Sequence, residues 1–260
     1  MGRARDIPFI LLALGAVGAA MGGPGCSSSS GGRWFQRPKS SQDYLDMALE
    51  AQGADDRRKG VLGLAASRDG KSDWAMKVYD TVARTDRDPM VRCAAIRAMS
   101  PAVGADQVPT LLKLLESTPQ RMADCRAAPG PVRWEAAKLL LVVVRDFTYQ
   151  ESQRPRIVKT LLDRLARDTD RNVRLTAIET LSYFAETPIP GALVDALEEQ
   201  DFAIQNAAEQ SLIALTGQTH DHDANAWRKW LSQTKDPFEG AGQMPAGVSA
   251  KGSKWGEWPW

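Results

Sequence analysis

The chain is poor in the residues from which most catalytic and metal centres are built. It has two histidines in 260 residues, so a multi-histidine metal site can scarcely be assembled. Its three cysteines, Cys26, Cys93 and Cys125, form no Cys-x-x-Cys pair, which removes the zinc-finger and thioredoxin-like signatures. No charge sign is in excess: the formal net charge is +1. Phosphate binding needs a clustered basic surface, so nucleic acid is not an expected partner. No nucleophile elbow, P-loop or dinucleotide fingerprint is present, and the glycines at Gly22 to Gly25 and Gly60 to Gly63 follow no strand. The acidic residues fall mostly at helix caps and on solvated helix faces, where they suggest no acid/base pair.

What is there begins with an export signal. Arg3 and Arg5 give a positive start, and Ile7 to Ala20 form an apolar stretch, followed by small residues up to Gly25. That stretch falls short of the roughly 20 apolar residues of a comfortable membrane span, although a short anchor is the competing reading. Cys26 follows, then Ser27 to Ser30, Gly31 and Gly32. A cysteine after the apolar stretch, with Gly25 before it and a Ser/Gly tether behind it, resembles a bacterial lipoprotein signal, with Gly23 standing where leucine is usual. The resemblance implies lipid on Cys26 and a chain held at the cell envelope. Cleavage near Ala19 or Ala20, releasing a soluble secreted or periplasmic protein, is the alternative.

Three later stretches share one pattern. Asp88-Pro89-Met90-Val91-Arg92-Cys93-Ala94-Ala95-Ile96, Pro129-Gly130-Pro131-Val132-Arg133-Trp134-Glu135-Ala136-Ala137 and Asp170-Arg171-Asn172-Val173-Arg174-Leu175-Thr176-Ala177-Ile178 each contain Val-Arg-x-x-Ala. Successive copies lie about 41 residues apart. A weaker copy runs from Asp201 to Ala208, and an eroded one from Asp56 to Leu64, where Arg57 and Arg58 replace Val-Arg. Asp88, Asp170 and Asp201 suit helix N-caps, and Pro89 and Pro131 suit a first helical turn. Val91, Ala95 and Met99 recur at helical spacing as a buried stripe. The small Ala95, Ala136, Ala177 and Ala208 permit a close helix neighbour. Each copy has an apolar helix upstream: Trp74 to Val82, Val108 to Leu115, Ile157 to Leu165 and Ala192 to Leu197. One helix pair cannot bury both faces alone, whereas stacked pairs can.

The motif Asp-x-x-Val-Arg-x-x-Ala-Ile behind an upstream amphipathic helix resembles the HEAT repeat and its bacterial relatives. The resemblance implies an all-α solenoid of about four to five stacked antiparallel helix pairs. It also implies that Arg92, Arg133 and Arg174 form a structural ladder, bonded to turn acceptors such as Asp86 or Asp168, and that Gln205 breaks it. Leu215-Thr216-Gly217 followed by Asp223 to Leu231 is similar to the closing element of some bacterial HEAT-like proteins. There Gly217 suits a helix C-cap, Asp223 an N-cap, and Trp227 with Trp230 covers the end of the stack.

The expected organisation is a signal segment over 1–26, a tether over 27–39, the repeat array with its Trp-containing cap over 40–235, and a disordered tail over 236–260. Trp255, Trp258 and Trp260 in that tail would suit an aromatic docking peptide. The face lined by the second helix of each pair, usually concave in this family, is the expected binding surface. Trp134, Glu135, Lys138, Thr176 and Glu179 are its expected outward residues, whose mixed charge and single aromatic suit a protein or peptide ligand. The expected function is a non-catalytic envelope scaffold, tethered to the membrane through its lipid, without cofactor or nucleic acid. The alternative is a metal-dependent enzyme using His220 and His222, which otherwise read as a polar loop. Cys93 and Cys125 would share an oxidising compartment after export and could pair.

Overall fold

The computed structural model describes residues 39–117, 126–243 and 245. The signal segment with Cys26, the tether through residue 38, Cys125 and the tryptophans at 255, 258 and 260 lie outside the described residues. Among the described residues the chain is all-α, with eleven α-helices and no strand. They are α1 (Ser41–Glu50), α2 (Ala54–Ala66), α3 (Asp73–Thr85), α4 (Pro89–Met99), α5 (Val108–Glu116), α6 (Gly130–Arg145), α7 (Arg154–Arg167), α8 (Arg171–Leu181), α9 (Pro188–Ala196), α10 (Phe202–Thr216) and α11 (Ala224–Gln233). No described helix is long and apolar enough to cross a membrane.

Local chemistry sets the helix ends. Asp88, Asp170, Asp201 and Asp223 each accept a backbone N–H of the first turn, at 2.8–2.9 Å from the second helical residue. Ser40 and Asp43 form a reciprocal capping box at α1. Gly217 ends α10 at φ +68°, and its N–H donates to the Ile213 carbonyl at 2.8 Å.

Neighbours in sequence pack as pairs: α1 with α2, α3 with α4, α5 with α6, α7 with α8, and α9 with α10. The even-numbered helices from α2 to α10 also touch one another in succession, and so do the odd-numbered helices from α1 to α9. The even helices share a common register. Counted from the N-caps Gly53, Asp88, Pro129, Asp170 and Asp201, the seventh residue is Gly60, Ala95, Ala136, Ala177 or Ala208. All five are small and buried. The eleventh is Leu64, Met99, Leu140, Leu181 or Leu212, each essentially without exposure. Small residues let helices approach, and large ones four positions on fill the space between them.

The fourth residue in this register is Arg57, Arg92, Arg133, Arg174 or Gln205. Each arginine binds its own pair and reaches forward to the turn ahead of the next even helix. Arg57 donates to the Ala51 and Gln52 carbonyls and grips Asp86 at 2.7 and 2.9 Å. Arg92 donates to the Ala83 carbonyl behind it and to the Arg126 and Ala127 carbonyls ahead. Arg133 donates to the Ala128 carbonyl and to both oxygens of Asp168. Arg174 donates to the Leu165 carbonyl at 2.8 Å and to Glu199 at 2.5 Å. Gln205 reaches only carbonyls of its own pair, Leu197 and Glu199. Two expectations need correcting. Asp86 serves Arg57 rather than Arg92, whose forward acceptors are backbone carbonyls because Ala127 stands where the other turns carry Asp86, Asp168 or Glu199. Arg57, read as part of an eroded copy, is a full member of the series.

The chain also does not run loose directly after α11, as the expected tail from 236 had it. Residues 236–242 turn back onto the end of α10. Gly242 N–H donates to the Ala214 carbonyl at 2.9 Å, and Phe238 packs against the core. A Cβ on Gly217 would lie 2.3 Å from the Gly240 carbonyl oxygen, so glycine is required there for close approach as well as for its positive φ.

Candidate functional site

The even helices place the expected surface residues differently from one another. Trp134 is half-buried and packs against the core, with the Lys138 ammonium 4.2 Å from its ring centre. Lys138 and Glu179 are half-buried, sharing the ninth register position with the exposed Leu62 and Arg97. Glu135 and Thr176 were expected to face outward, and both are buried. They occupy the sixth register position, which is buried in α4, α6 and α8 and exposed in α2, at Lys59. Thr176 satisfies its hydroxyl on the Asn172 carbonyl at 2.8 Å. Glu135 is held by two cations: Arg97 of α4 on one carboxylate oxygen, and Lys138 at 3.0 Å on the other. Burial alone would push the Glu135 carboxyl up, but the hydrogen bonds from Arg97 and Lys138 and their charges bring it below the usual carboxylate range. The same contact raises Arg97 further above its ordinary value.

Between α4 and α6 these side chains rim a groove of about 310 Å³. Its floor is Ile96, Leu139 and Val142, with Ser100 at one end. The Arg97 side chain is 58% exposed and that of Lys138 41%, whereas Glu135 beneath them is 6% exposed. Solvent therefore meets two cations, with their shared carboxylate and the largely buried Ile96 and Leu139 beneath them and Val142 half-buried beside them. Cys93, on the same helix as Arg97, is a buried thiol whose pKa burial and the Glu135 charge push up.

The His220–His222 loop joins α10 to α11 and is tied down by Glu209. Glu209 of α10 stands at the eighth register position, where the other even helices carry Val61, Ile96, Ala137 and Ile178. It is 2% exposed and accepts from the Trp227 indole N–H at 2.7 Å, the Thr219 hydroxyl at 2.8 Å, and the His220 and His222 amides at 3.3 Å each. Trp227 is fully buried, with Trp230 edge-on at 5.8 Å. His220 lies edge-on to Trp227 at 4.7 Å, and His222 stacks on Phe202 at 6.1 Å. Asp221 and His222 adopt left-handed φ of 50° and 68°, a region that aspartate and histidine enter more readily than most side chains, and the Glu209 bonds to the His220 and His222 amides tie the loop down. Among the described residues, no three His, Cys, Asp or Glu side chains are grouped so as to hold a metal ion. Sequence reading missed Glu209. A carboxylate falling at a core position of the repeat was the available signal.

No family model matches the chain. No curated protein is significantly similar to it. Among solved structures, the X-ray structure of the Escherichia coli YibA protein is similar at 20% identity, over 75% of this chain and 68% of that one, with a TM-score of 0.47.

Proposed function

We propose that the chain is a non-catalytic scaffold of the HEAT type, tethered at the cell envelope through Cys26, that binds another protein on the face of its even-numbered helices. The two successions of touching helices, with one register repeated five times, support a solenoid of stacked pairs. The observation that carries the binding reading is the α4–α6 groove, in which exposed cations rim an apolar floor. A surface of that kind gives a protein ligand both buried area and polar orientation. The envelope location rests on the sequence from Arg3 to Gly32. On this reading the His220–His222 loop closes the solenoid's end.

Site-specific photo-crosslinking tests the face. A crosslinker at Ser100, beside the groove, should capture a discrete partner in native membranes. One at Lys159, exposed on the odd helix α7, should not. Equal capture at both positions, or capture at Lys159 alone, would sink the reading. Mass spectrometry of the mature N-terminus tests the tether: lipid-modified Cys26 is expected, and a start near Ala20 or Met21 with bare Cys26 would refute it.

A further inference from the structure

We infer that the groove between α4 and α6 captures the C-terminal residue of a partner chain, its α-carboxylate held by Arg97 and Lys138 and its apolar side chain laid on Ile96, Leu139 and Val142. This deepens the scaffold reading and rests on it.

The charge balance asks for an anion. Arg97 and Lys138 contact opposite oxygens of one carboxylate, Glu135, so the cluster keeps one net positive charge. Both cations are substantially exposed while the carboxylate is not. A guanidinium has five donor hydrogens and an ammonium three, so each group can serve Glu135 and a ligand carboxylate together. Packing of Lys138 on the Trp134 ring limits its freedom before the ligand arrives, which lowers the ordering cost of binding.

The floor asks for an apolar group close to that anion. On both helices the cation and a floor residue are adjacent in sequence: Ile96 with Arg97, and Lys138 with Leu139. All four line the same groove, so charge and apolar surface lie side by side within it. A C-terminal residue matches this spacing, because its carboxylate and side chain branch from the same carbon. An internal glutamate matches it less well, since its carboxylate stands further from the backbone and its sequence neighbours point elsewhere. A free inorganic anion would leave the floor wet. Nucleic acid would need a run of cations rather than one net charge. The volume of about 310 Å³ suits one large side chain with its carboxylate rather than a folded surface.

Fluorescence anisotropy with labelled octapeptides tests this on the native protein. A peptide ending in Leu as the free acid should bind about tenfold tighter than its C-terminal amide, and about tenfold tighter than the acid ending in Ser. Arg97→Gln and Lys138→Gln should each weaken the acid about fivefold or more and leave the amide unchanged. Val142→Trp, which fills the floor, should abolish binding. The acid/amide comparison stands even if a variant fails to fold. Equal binding of acid and amide, or no binding of either, overturns the inference. If the Ser100 crosslink still captures a partner in that case, the scaffold reading survives without it. If instead the acid binds but Ser100 captures nothing, the groove stands and the scaffold reading falls. Binding of phosphatidylglycerol vesicles that is lost in Arg97→Gln, without peptide binding, would assign the groove to a lipid headgroup and overturn the inference too.

Discussion

Arg133 of α6 and Asp168 ahead of α8 meet in a two-point ion pair, with Nε to Oδ2 at 2.9 Å and Nη2 to Oδ1 at 2.7 Å. The Asp168 side chain is wholly excluded from solvent. Its Oδ1 also accepts the Asp170 amide at 2.8 Å, so the carboxylate that fixes the turn also receives the arginine from the preceding pair. Arg133→Ala would leave that carboxylate with only a long contact to Arg164 at 3.4 Å as ionic compensation. A loss of about 2–4 kcal/mol is expected, because an underpaired buried charge costs more than a lost surface contact. Arg145, paired with Asp146 where both side chains are nearly half exposed, should cost about 0–1 kcal/mol when changed to Ala. Denaturant midpoints decide it; equal small effects would mean that the rung contributes nothing.

Asp86 and Asp168 also predict the acid limb of stability. Burial alone would raise both carboxyls. The hydrogen bonds from Arg57 and Arg133, with the Asp88 and Asp170 amides, outweigh it and leave both below the ordinary value. A carboxyl with a depressed folded-state pKa stabilises the fold above its unfolded value of about 3.9, and the contribution disappears as pH falls through the folded value. Thermal midpoints should therefore hold between pH 7 and about pH 5 and drop below about pH 4. Asp168→Asn should start lower and fall less steeply. An unchanged slope in that variant would remove Asp168 from the account.

The caps were legible because they are local: an aspartate two or three residues before the backbone N–H groups that donate to it identifies itself in sequence, as Asp88, Asp170, Asp201 and Asp223 do. The rungs were half legible. Val-Arg marked Arg92, Arg133 and Arg174, but Arg57 follows Asp56 instead of valine, and only its distance from the Gly53 cap places it in register. What each arginine touches was not legible, since the forward acceptor belongs to the next repeat and changes from carboxylate to backbone carbonyl at Ala127. The same limit applied to Glu135 and Thr176. Whether a helix position faces solvent or the adjacent even helix depends on a helix distant in sequence, which no local pattern specifies.

Glu209 should prove indispensable to the end of the chain although its register equivalents are Val, Ile or Ala. Glu209→Leu would match the packing used elsewhere yet orphan the Trp227 indole N–H and the two histidine amides. A loss of about 2–4 kcal/mol follows from unsatisfied buried donors. Hydrogen exchange should speed up across α10 and α11 while α3 and α4 stay protected, because α10 packs on α8 and α9 and α11 on α9, and local opening there leaves distant helices intact. Uniform loss of protection along the chain would show that the end is not a separate unit of stability.

Two glycine-to-alanine changes should move stability in opposite directions although helix propensity favours both. Alanine is better than glycine in a helix interior by about 1 kcal/mol. At Gly191, in the exposed face of α9, an added Cβ meets nothing within 4 Å, so Gly191→Ala should gain about 0.5–1 kcal/mol. At Gly60 the Cβ would lie 2.3 Å from the Ala48 backbone nitrogen and 2.8 Å from its Cα. Those atoms belong to the backbone of α1 and cannot swing aside as a flexible side chain would. Gly60 fills the small-residue row that Ala95, Ala136, Ala177 and Ala208 occupy elsewhere, but α1 approaches α2 more closely than alanine allows. Overpacking of this kind costs about 1–3 kcal/mol, enough to reverse the propensity gain, and the fixed backbone puts Gly60→Ala at the upper end. The denaturant midpoint should therefore rise for Gly191→Ala and fall for Gly60→Ala. A midpoint at or above the native value for Gly60→Ala would show that α1 can move off α2 at no cost, and that the first pair is more loosely joined than its contacts imply.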